Sequence, residues 1–563
     1  MNKNIRKSLV LVLICLLAVA MLAACNGGAA VTTGTQTNGT TAAGSNTAGT
    51  TTGAAKTHVL KIMGPESTNT YIKFADRERY SSWKAFEKLF TAKGITPEFE
   101  IIANDQYETV IQTRMASATD LPDFTNLTNL DDTTILNLAN QGVILPVNKI
   151  IDENSDGTAK EFFSTGRGKL SNSLNTTEDG NVYWISQIQA TTYADQPGST
   201  CMGINIRKDW LDKLGLKTPT TADEFVAVMQ AFRDQDANGN GQADEVLAFN
   251  PASFTNGIAQ WFGLVSEISS FGIEDMKATS PWYQDGIKPY FTFLNKLVDL
   301  GIMDTSIIGA KTDDQLNQKI AEDKVGALFT YAMQTWYEPS VKTEGAEYMP
   351  IGPLKAADGI EPVNAIEPPF LSYGRWGFTK ACTDLEAAGS LVDILCSEDY
   401  QNLTQYGIEG ETYEMKDGKK VLMDVALNAN WEKAAAAGTS IGDSLWANGS
   451  MFPKRRFVGM EAEIGVVPAY KADYQKAVIQ YHPTTPLGTG NYYPVPTQAQ
   501  IDRKLEIITD LTTRSEELAT QLILGQASMD KWDTYMQELK DLGLDDLIQI
   551  NQTLLDRYQQ NSK

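Results

Sequence analysis

The chain is poor in the residues on which many catalytic and metal sites depend. Its 563 residues include two histidines, His58 and His482, and five cysteines. So small a supply of imidazole and thiol argues against a catalytic transition-metal site and against a nucleophile activated by histidine. The sequence GTSIG at 438–442 has the spacing of a nucleophile elbow. An alanine-rich helical stretch precedes it, however, where the elbow requires a strand.

Positive charge is also scarce. The chain has 47 Lys and Arg against 70 Asp and Glu, which gives a formal net charge of −23. No basic stripe interrupts this acidity, so nucleic acid is excluded as a partner, and the folded body is not expected to bind anionic headgroups. So many carboxylates leave open a pair able to hydrolyse a glycosidic bond, and an exported glycan-cleaving enzyme therefore remains an alternative function.

Long apolar runs are absent except near the N-terminus, where one extends from residue 9 to residue 21. Three basic residues precede it and the lipobox LAAC follows at 22–25, the pattern of a lipoprotein signal peptide. The run is too short for a membrane span. We therefore predict a signal peptide over 1–24 and a lipid on Cys25 that anchors the mature chain to the membrane. An ordinary secretory signal with a chance cysteine is the alternative.

Residues 26–57 are almost wholly Gly, Thr, Ala, Ser and Asn, with one charge. This composition predicts a flexible tether. Beyond it the chain holds Cys201, Cys382 and Cys396. An odd number argues against a disulfide framework, although one pair remains open, and we expect these residues to be buried as small apolar side chains.

The clearest motif is DQDANGNGQADE at 234–245. Oxygen-bearing side chains at alternate positions, with glycines that permit a tight turn, predict a structural Ca²⁺ site. One register is a twelve-residue loop that starts at the first aspartate. We favour a start at Asp236, because an apolar strand follows at 246–249 where the twelve-residue motif requires a helix. The six ligands would then be Asp236, Asn238, Asn240, the carbonyl of Gln242, Asp244 and Glu245. A polar turn without an ion is the alternative.

Strand and helix patterns alternate through the body, residues 58–563. A strand at 59–63, a helix with Trp83 on its apolar face and a strand at 97–102 form a βαβ pattern. The body is too long for one core, so we predict an α/β protein of two lobes. Parallel sheets place ligands at the carboxyl ends of their strands, which makes the edge between lobes a cleft. Three tryptophans are assigned to the core: Trp83, Trp210 and Trp532.

The lipobox, the tether, residues 116–123 and the sequence IRKDWLDKLGLKTPTTADEF at 206–225 resemble those of ABC-transporter extracellular solute-binding lipoproteins of family 1. YGIEGETY at 406–413 and DRY at 556–558 are similar to sequences in its large carbohydrate-binding subgroup, typical of Gram-positive bacteria. Alginate-oligosaccharide-binding members carry a calcium loop like 236–245, a second reason for the favoured register. The resemblance implies a type II periplasmic-binding-protein fold that captures an oligosaccharide between its lobes and delivers it to an ABC permease.

The resemblance also implies an extracellular, membrane-anchored monomer that is not an enzyme. A surface-anchored glycan sensor or adhesin with the same fold remains an alternative. In this fold the chain crosses between lobes more than once. We place lobe 1 at 58–195 and 325–373, and lobe 2 at 196–324 and 374–563.

Sugar sites combine aromatic faces with planar polar side chains. Trp336 follows the strand that is expected to return to lobe 1, where sugar-binding relatives often place a stacking ring. Trp376, beside Arg375, lies at the expected last crossing. The further candidates are loop aromatics and polar residues that follow strands of the first lobe: Trp261, Trp446, Tyr193, Glu66, Asn126 and Asn129. For each aromatic residue, core packing is the alternative.

Overall fold

Two β-sheets, each covered by helices, organise the folded body. The structure is a computed structural model, and all of the residues that it describes lie within one compact unit, 56–563. The described residues are 58–66, 72–190, 202–249, 256–264, 271–274, 276–307, 314–331, 341, 343–363, 370–423, 435–439, 451–453, 455–456 and 493–561. The predicted signal peptide, Cys25 and the tether lie outside them.

The described chain contains strands that belong to these two sheets and to two small hairpins. They are β1 (His58–Pro65), β2 (Ile95–Ile102), β3 (Phe124–Asn126), β4 (Ile185–Ala190), β5 (Met202–Arg207), β6 (Val246–Phe249), β7 (Gly272–Glu274), β8 (Lys277–Thr279), β9 (Val325–Tyr331), β10 (Tyr348–Ile351), β11 (Phe370–Phe378), β12 (Tyr413–Lys416), β13 (Lys419–Leu422) and β14 (Arg455–Arg456).

Helices connect and cover the strands. They are α1 (Ser81–Ala92), α2 (Asn104–Ser117), α3 (Asp132–Asn140), α4 (Val147–Asn154), α5 (Thr158–Ser164), α6 (Gly166–Asn175), α7 (Lys208–Leu214), α8 (Ala222–Asp234), α9 (Asn256–Ala259), α10 (Ile287–Asp299), α11 (Asp314–Ala321), α12 (Leu385–Cys396), α13 (Glu398–Gln405), α14 (Gln498–Ile523), α15 (Trp532–Asp541) and α16 (Leu544–Asn561).

The first sheet has six strands in the order β14-β4-β11-β3-β1-β2. β1 runs parallel to β2 and β3, as the βαβ pattern predicts, while β11 is antiparallel to β3 and β4. In β1, Leu60 and Ile62 are buried, whereas Val59 and Lys61, which alternate with them, are exposed. This alternation sets which face of the strand enters the core. Trp83 on α1 is fully buried in this core, as predicted.

The second sheet has four strands in the order β10-β5-β9-β6. Helix α8 packs against this sheet and starts with a capping box between Thr221 and Glu224. Phe225, Met229 and Phe232 follow at helical spacing and are fully buried against the sheet. Trp210 and Trp532 lie in the same core, which confirms their assignment.

The pairing of β9 corrects the expected division into lobes. β9 was placed in lobe 1, but it pairs antiparallel with β5 and parallel with β6 in the second sheet. β11 belongs to the first sheet, whereas the expected division starts a segment of lobe 2 at residue 374. The helix α12, also expected in lobe 2, packs in the core of the first sheet.

Described elements therefore change sheets at three places. β4 ends at residue 190 in the first sheet and β5 begins at 202 in the second. The return lies between β10, which ends at 351, and β11, which begins at 370. The last change lies between β14 and α14, since α14 to α16 contribute Leu511, Leu539 and Leu547 to the second core.

Candidate functional site

The candidate ligand edge lies where β1 and β3 end. Glu66 directly follows β1, and its Oε1 accepts a hydrogen bond from the backbone N–H of Phe74 at 3.0 Å. Asn126 ends β3 and is buried, with its Oδ1 accepting from the N–H of Thr128 at 2.8 Å. The two strands are adjacent and parallel, so the structure brings these two predicted residues to the same edge.

Arg375 reaches this edge from β11, the antiparallel neighbour of β3. The N–H of Leu127 donates to the carbonyl of Arg375 at 2.7 Å, and the N–H of Arg375 donates to the Thr128 hydroxyl at 3.0 Å. Asn129 follows in the same loop and is exposed. The edge thus presents hydroxyl and amide groups on a loop held by backbone hydrogen bonds, the kind of array that pairs with sugar hydroxyls.

The guanidinium of Arg375 is held by the start of α3. It forms an ion pair with Asp132 and donates to the carbonyl of Leu130 at 3.3 Å. It also lies over the ring of Trp184, 5.4 Å from the ring centroid. The Arg375 guanidinium thus ties β11 to the loop between β3 and α3. Leu130 and Asp132 lie 245 and 243 positions before Arg375, too far for a spacing rule to pair them with it.

Helix α14, from the layer of the second sheet, also approaches Asp132. Burial lowers the pKa of Lys504, and the charge of Asp132 opposes that shift. A lysine of the C-terminal helices therefore interacts electrostatically with Asp132, the partner of Arg375. Asp132, Thr128, Trp184 and Lys504 are polar or aromatic neighbours that sequence reasoning missed, because only the pairing of distant elements brings them together.

Two predicted stacking residues are corrected by their burial. Trp376 is 1% exposed in the core of the first sheet, and its ring lies against Gly374, where an added Cβ would come within 2.5 Å of it. Trp261 is 1% exposed and packs edge-on against Phe225 at 5.1 Å. Neither ring has a face available to a sugar in this structure, because each lies among apolar side chains. Trp336, Trp446 and Tyr193 lie outside the described residues.

The predicted calcium loop joins α8 to β6, so a strand does follow it. Asp236, Gly239 and Gly241 have positive φ angles of 52°, 78° and 80°, which turn the backbone inward. The amide oxygens of Asn238 and Asn240 accept from the N–H two residues ahead, at 2.9 and 2.7 Å. The short side chains thus fold the loop on itself before any ion is considered.

The carboxylates of the loop differ in burial and in hydrogen bonding. Asp236 Oδ2 accepts from the N–H of Gly241 at 3.0 Å, while its buried Oδ1 has no hydrogen-bond partner among the described residues. Glu245 is fully buried, and burial raises its pKa. Asp244 lies 3.4 Å from Nζ of Lys324. A buried acceptor without a donor and a buried carboxylate are both groups that a cation stabilises.

The donor set fits a hard cation. Every predicted ligand offers oxygen, which Ca²⁺ prefers, and none offers nitrogen or sulfur. The amide Nδ2 atoms of Asn238 and Asn240 point at Asp244 Oδ1, each at 3.1 Å, an arrangement that holds the loop together through hydrogen bonds. Asp236, Asp244 and Glu245 do not all bring a carboxylate oxygen within 4.8 Å of one another, so a bound ion would draw them together.

Two further features of the molecule bear on function. A shallow depression between α8 and α10, lined by Asp223, Lys288, Phe293 and Lys296 among others, contains none of the predicted ligand residues. Across the described part of the chain, no helix combines the length and the apolar character needed to cross a bilayer.

Comparison with known proteins identifies relatives of this chain. In sequence it is 25% identical over 473 residues to the fructooligosaccharide ABC transporter substrate-binding protein FusA of Streptococcus pneumoniae serotype 4, covering 79% of this chain and 82% of FusA. The structure is similar to that of a FusA EF-hand mutant in complex with fructo-nystose, with a TM-score of 0.67, 20% identity, and coverage of 89% of this chain and 100% of that one.

A second structural relative is the alginate-binding protein AlgQ2, solved without calcium ion. It matches with a TM-score of 0.61 and 21% identity over 89% of this chain and 99% of AlgQ2. At this identity the likeness concerns the fold, and it confirms the predicted α/β class of two-lobed solute-binding proteins. Residues 64–402, more than half of the chain, match the family described as bacterial extracellular solute-binding protein. The chain therefore belongs to the family of bacterial extracellular solute-binding proteins.

Proposed function

We propose that this protein captures an oligosaccharide outside the cell and delivers it to an ABC permease. The observation that carries the proposal is the similarity to FusA, an ABC transporter substrate-binding protein by name, over 79% of this chain. The chemistry of the candidate edge agrees with it. Thr128 and Asn129, both exposed, offer hydroxyl and amide groups, which match sugar hydroxyls better than they match a charged or apolar solute.

The binding surface would combine this edge with aromatic residues from loops. Glu66 and Asn129 would hydrogen-bond to hydroxyl groups. Asn126, which is 1% exposed, and Arg375, which is paired with Asp132, would hold the edge in place. Aromatic faces would stack on the apolar faces of the sugar rings. The candidates for that stacking are the loop residues Trp336, Trp446 and Tyr193, while Trp261 and Trp376 are withdrawn because of their burial.

The N-terminal region would hold the protein at the cell surface. A lipid on Cys25 places the body on the outer side of the membrane, and residues 26–57 give it the reach to approach a permease. The protein would act as a monomer, because capture needs only the closure of its own lobes.

A structural Ca²⁺ would occupy the loop of Asp236–Glu245. Two observations support this proposal: Oδ1 of Asp236 has no hydrogen-bond partner in the described part of the chain, and the carboxylate of Glu245 is buried. Asn238, Asn240, the carbonyl of Gln242 and Asp244 would complete the coordination. When bound, the ion supplies positive charge that offsets the repulsion among three carboxylates. It would stabilise the junction of α8 and β6 and take no part in the capture of sugar.

The transport role is tested by uptake of labelled oligosaccharides in cells with and without the gene. The first probes are kestose and nystose, followed by neutral and acidic oligosaccharides of other linkages. Loss of uptake on deletion, with recovery on complementation, is the expected result. If the purified protein binds the sugar but the deletion strain still takes it up normally, the protein is a sensor or an adhesin. Shortened products after incubation with purified protein would indicate a glycan-cleaving enzyme.

A further inference from the structure

Three side chains that can bind a metal ion meet where the first strand of the body begins. His58 is the first residue of β1, and Asp384 and Glu386 lie at the start of α12. His58 Nδ1 lies 2.6 Å from Asp384 Oδ2. One ligand atom from each of the three residues lies within 4.8 Å of the other two, the one such group of His, Cys, Asp or Glu within the described ranges.

The surrounding structure positions two of these side chains. The N–H of His58 donates to the carbonyl of Gly94 at 2.9 Å, and its side chain is 8% exposed. Asp384 caps α12, with its Oδ1 accepting from the N–H of Ala387 at 3.2 Å. This leaves Oδ2 directed at the imidazole. The nitrogen and one carboxylate oxygen are therefore fixed by secondary structure before any ion binds, which reduces the entropy lost on binding.

Glu386 completes the group from the outside. It is exposed, and it lies two residues beyond Asp384 on the first turn of the helix. A long, exposed side chain beside a buried imidazole and a capping carboxylate can close over an ion that the other two hold.

The charge around the group favours a cation. The carboxylates of Asp123 and Asp384 both act on the buried thiol of Cys382, and Asp123 accepts a hydrogen bond from the N–H of Lys61 at 2.7 Å. The carboxylate of Asp123 interacts electrostatically with that of Asp384, and the charge of Lys61 partly offsets it. Asp384 and Glu386 therefore supply two carboxylates beside the imidazole, with a third near Asp384. The partial positive charge at the start of α12, about half an elementary charge, is smaller than this negative charge.

We propose that His58, Asp384 and Glu386 bind one divalent transition-metal ion of the zinc class, at a site separate from the calcium loop. An imidazole nitrogen favours zinc over calcium or magnesium, and carboxylate oxygens are accepted zinc ligands. Water would supply the fourth position. With metal–ligand bonds near 2.0–2.2 Å, two ligands of a tetrahedral site lie about 3.4 Å apart, so the separation of His58 and Asp384 must widen by about 0.8 Å.

The expected effect of the metal ion is to stabilise the packing of β1 against α12. His58 is where the body begins after the tether, and α12 covers the first sheet. One ion would join positions 58 and 384 and so fix the start of β1 against that helix. The site lies at the amino end of β1, whereas the candidate sugar edge lies at its carboxyl end. Metal binding therefore stabilises the fold without changing the affinity for sugar.

Calorimetric titration of Zn²⁺ into the untagged mature chain tests this inference. The protein carries Cys25→Ser, so that no lipid is attached, and is kept saturated with Ca²⁺. We expect one equivalent to bind with a dissociation constant in the micromolar range or below. Glu386→Gln, an exposed change that leaves the cap of α12 in place, should weaken binding at least tenfold. His58→Gln should remove it. His482→Gln is a matched control that should leave zinc binding unchanged.

Absorption of bound Co²⁺ provides a second readout on folded protein. A tetrahedral site gives strong visible bands, and these should disappear in His58→Gln. Equal zinc affinity in the parent and in His58→Gln would overturn the inference, as would loss of binding in His482→Gln. A strong near-ultraviolet charge-transfer band would mean that a thiol is a ligand, and would overturn the proposed ligand set.

Discussion

Glu245 shows what a single residue contributes to this fold. Its carboxylate is fully buried at the end of the calcium loop, and the hydrogen bonds that the structure describes come from the N–H groups of Asn238 and Asp244. Burial raises its pKa, and the neighbouring charge of Asp244 adds to that effect. Burying a charged carboxylate with neutral donors costs free energy of folding. A cation bound beside Glu245 would offset that cost.

Truncation of Trp336 can be compared with truncation of Trp83, because the first is a proposed sugar-stacking residue and the second is a core residue. We expect Trp336→Ala to weaken oligosaccharide binding at least tenfold, about 1.4 kcal/mol, and to leave the melting temperature of the ligand-free protein near that of the parent. Loss of a stacking ring removes contact area without opening a cavity in the core. Calorimetry with the best sugar from the uptake panel provides the measurement.

Trp83 is the control, because it is fully buried and contacts Phe74 edge-on at 5.1 Å. Trp83→Ala should cost about 3–5 kcal/mol of stability and retain normal affinity wherever the protein remains folded. If Trp336→Ala instead melts as early as this control and binds sugar normally, Trp336 belongs to the core and the stacking assignment is wrong.

The calcium loop is the element that the sequence described most fully. Its spacing of oxygen-bearing residues is local, so the turn and the strand after it could be predicted without knowledge of the fold. The corrected features depend on distant pairing. The apolar sequence of β9 predicts a strand equally well in either sheet, and only its ladder with β5 shows which sheet it joins.

Chelation tests the loop as a structural element. Removal of Ca²⁺ should lower the melting temperature, because an ion present at one hundred times its dissociation constant contributes about 2.7 kcal/mol. Sugar affinity should change little, since the loop joins α8 to β6 and lies away from the ends of β1 and β3. Melting curves with chelator and with added Ca²⁺ provide the measurement.

Two substitutions in the loop sharpen this prediction. Asp236→Asn should abolish the stabilisation by calcium, because it removes a charged ligand. Gln242→Ala should retain it, because residue 242 is expected to bind through its backbone carbonyl. If the melting temperature of the parent protein responds neither to chelator nor to Ca²⁺, the loop is an ordinary polar turn that binds no ion.

At the scale of the whole molecule, alternation of strands and helices predicted the α/β class, and motif resemblance predicted the family. The sites were less accessible to prediction. Trp261 lies in sequence typical of a loop, yet it is buried against Phe225 because a short 3₁₀ turn, Gln260–Phe262, carries it into the core. His58 and Asp384 are 326 positions apart, so no spacing rule could have paired them.

The lipid proposed on Cys25 would anchor the whole protein to the membrane. Cys25→Ser should move the protein from the membrane fraction to the soluble fraction, because a lipid on this thiol is the proposed attachment. Fractionation of cells that express each form, followed by immunoblotting, provides the measurement. Unchanged membrane association of the variant would show that a different anchor holds the protein.

The folded body is proposed to close on an oligosaccharide, and thermal melting of the purified protein against a panel of sugars is the decisive test of that binding. A ligand that binds only the native state, present at a thousand times its dissociation constant, stabilises by about 4.1 kcal/mol. We predict that at least one oligosaccharide raises the melting temperature in a concentration-dependent manner, while its constituent monosaccharides have a smaller effect. If no sugar in a broad panel changes the melting temperature of the calcium-saturated protein, the proposed binding of oligosaccharides is wrong.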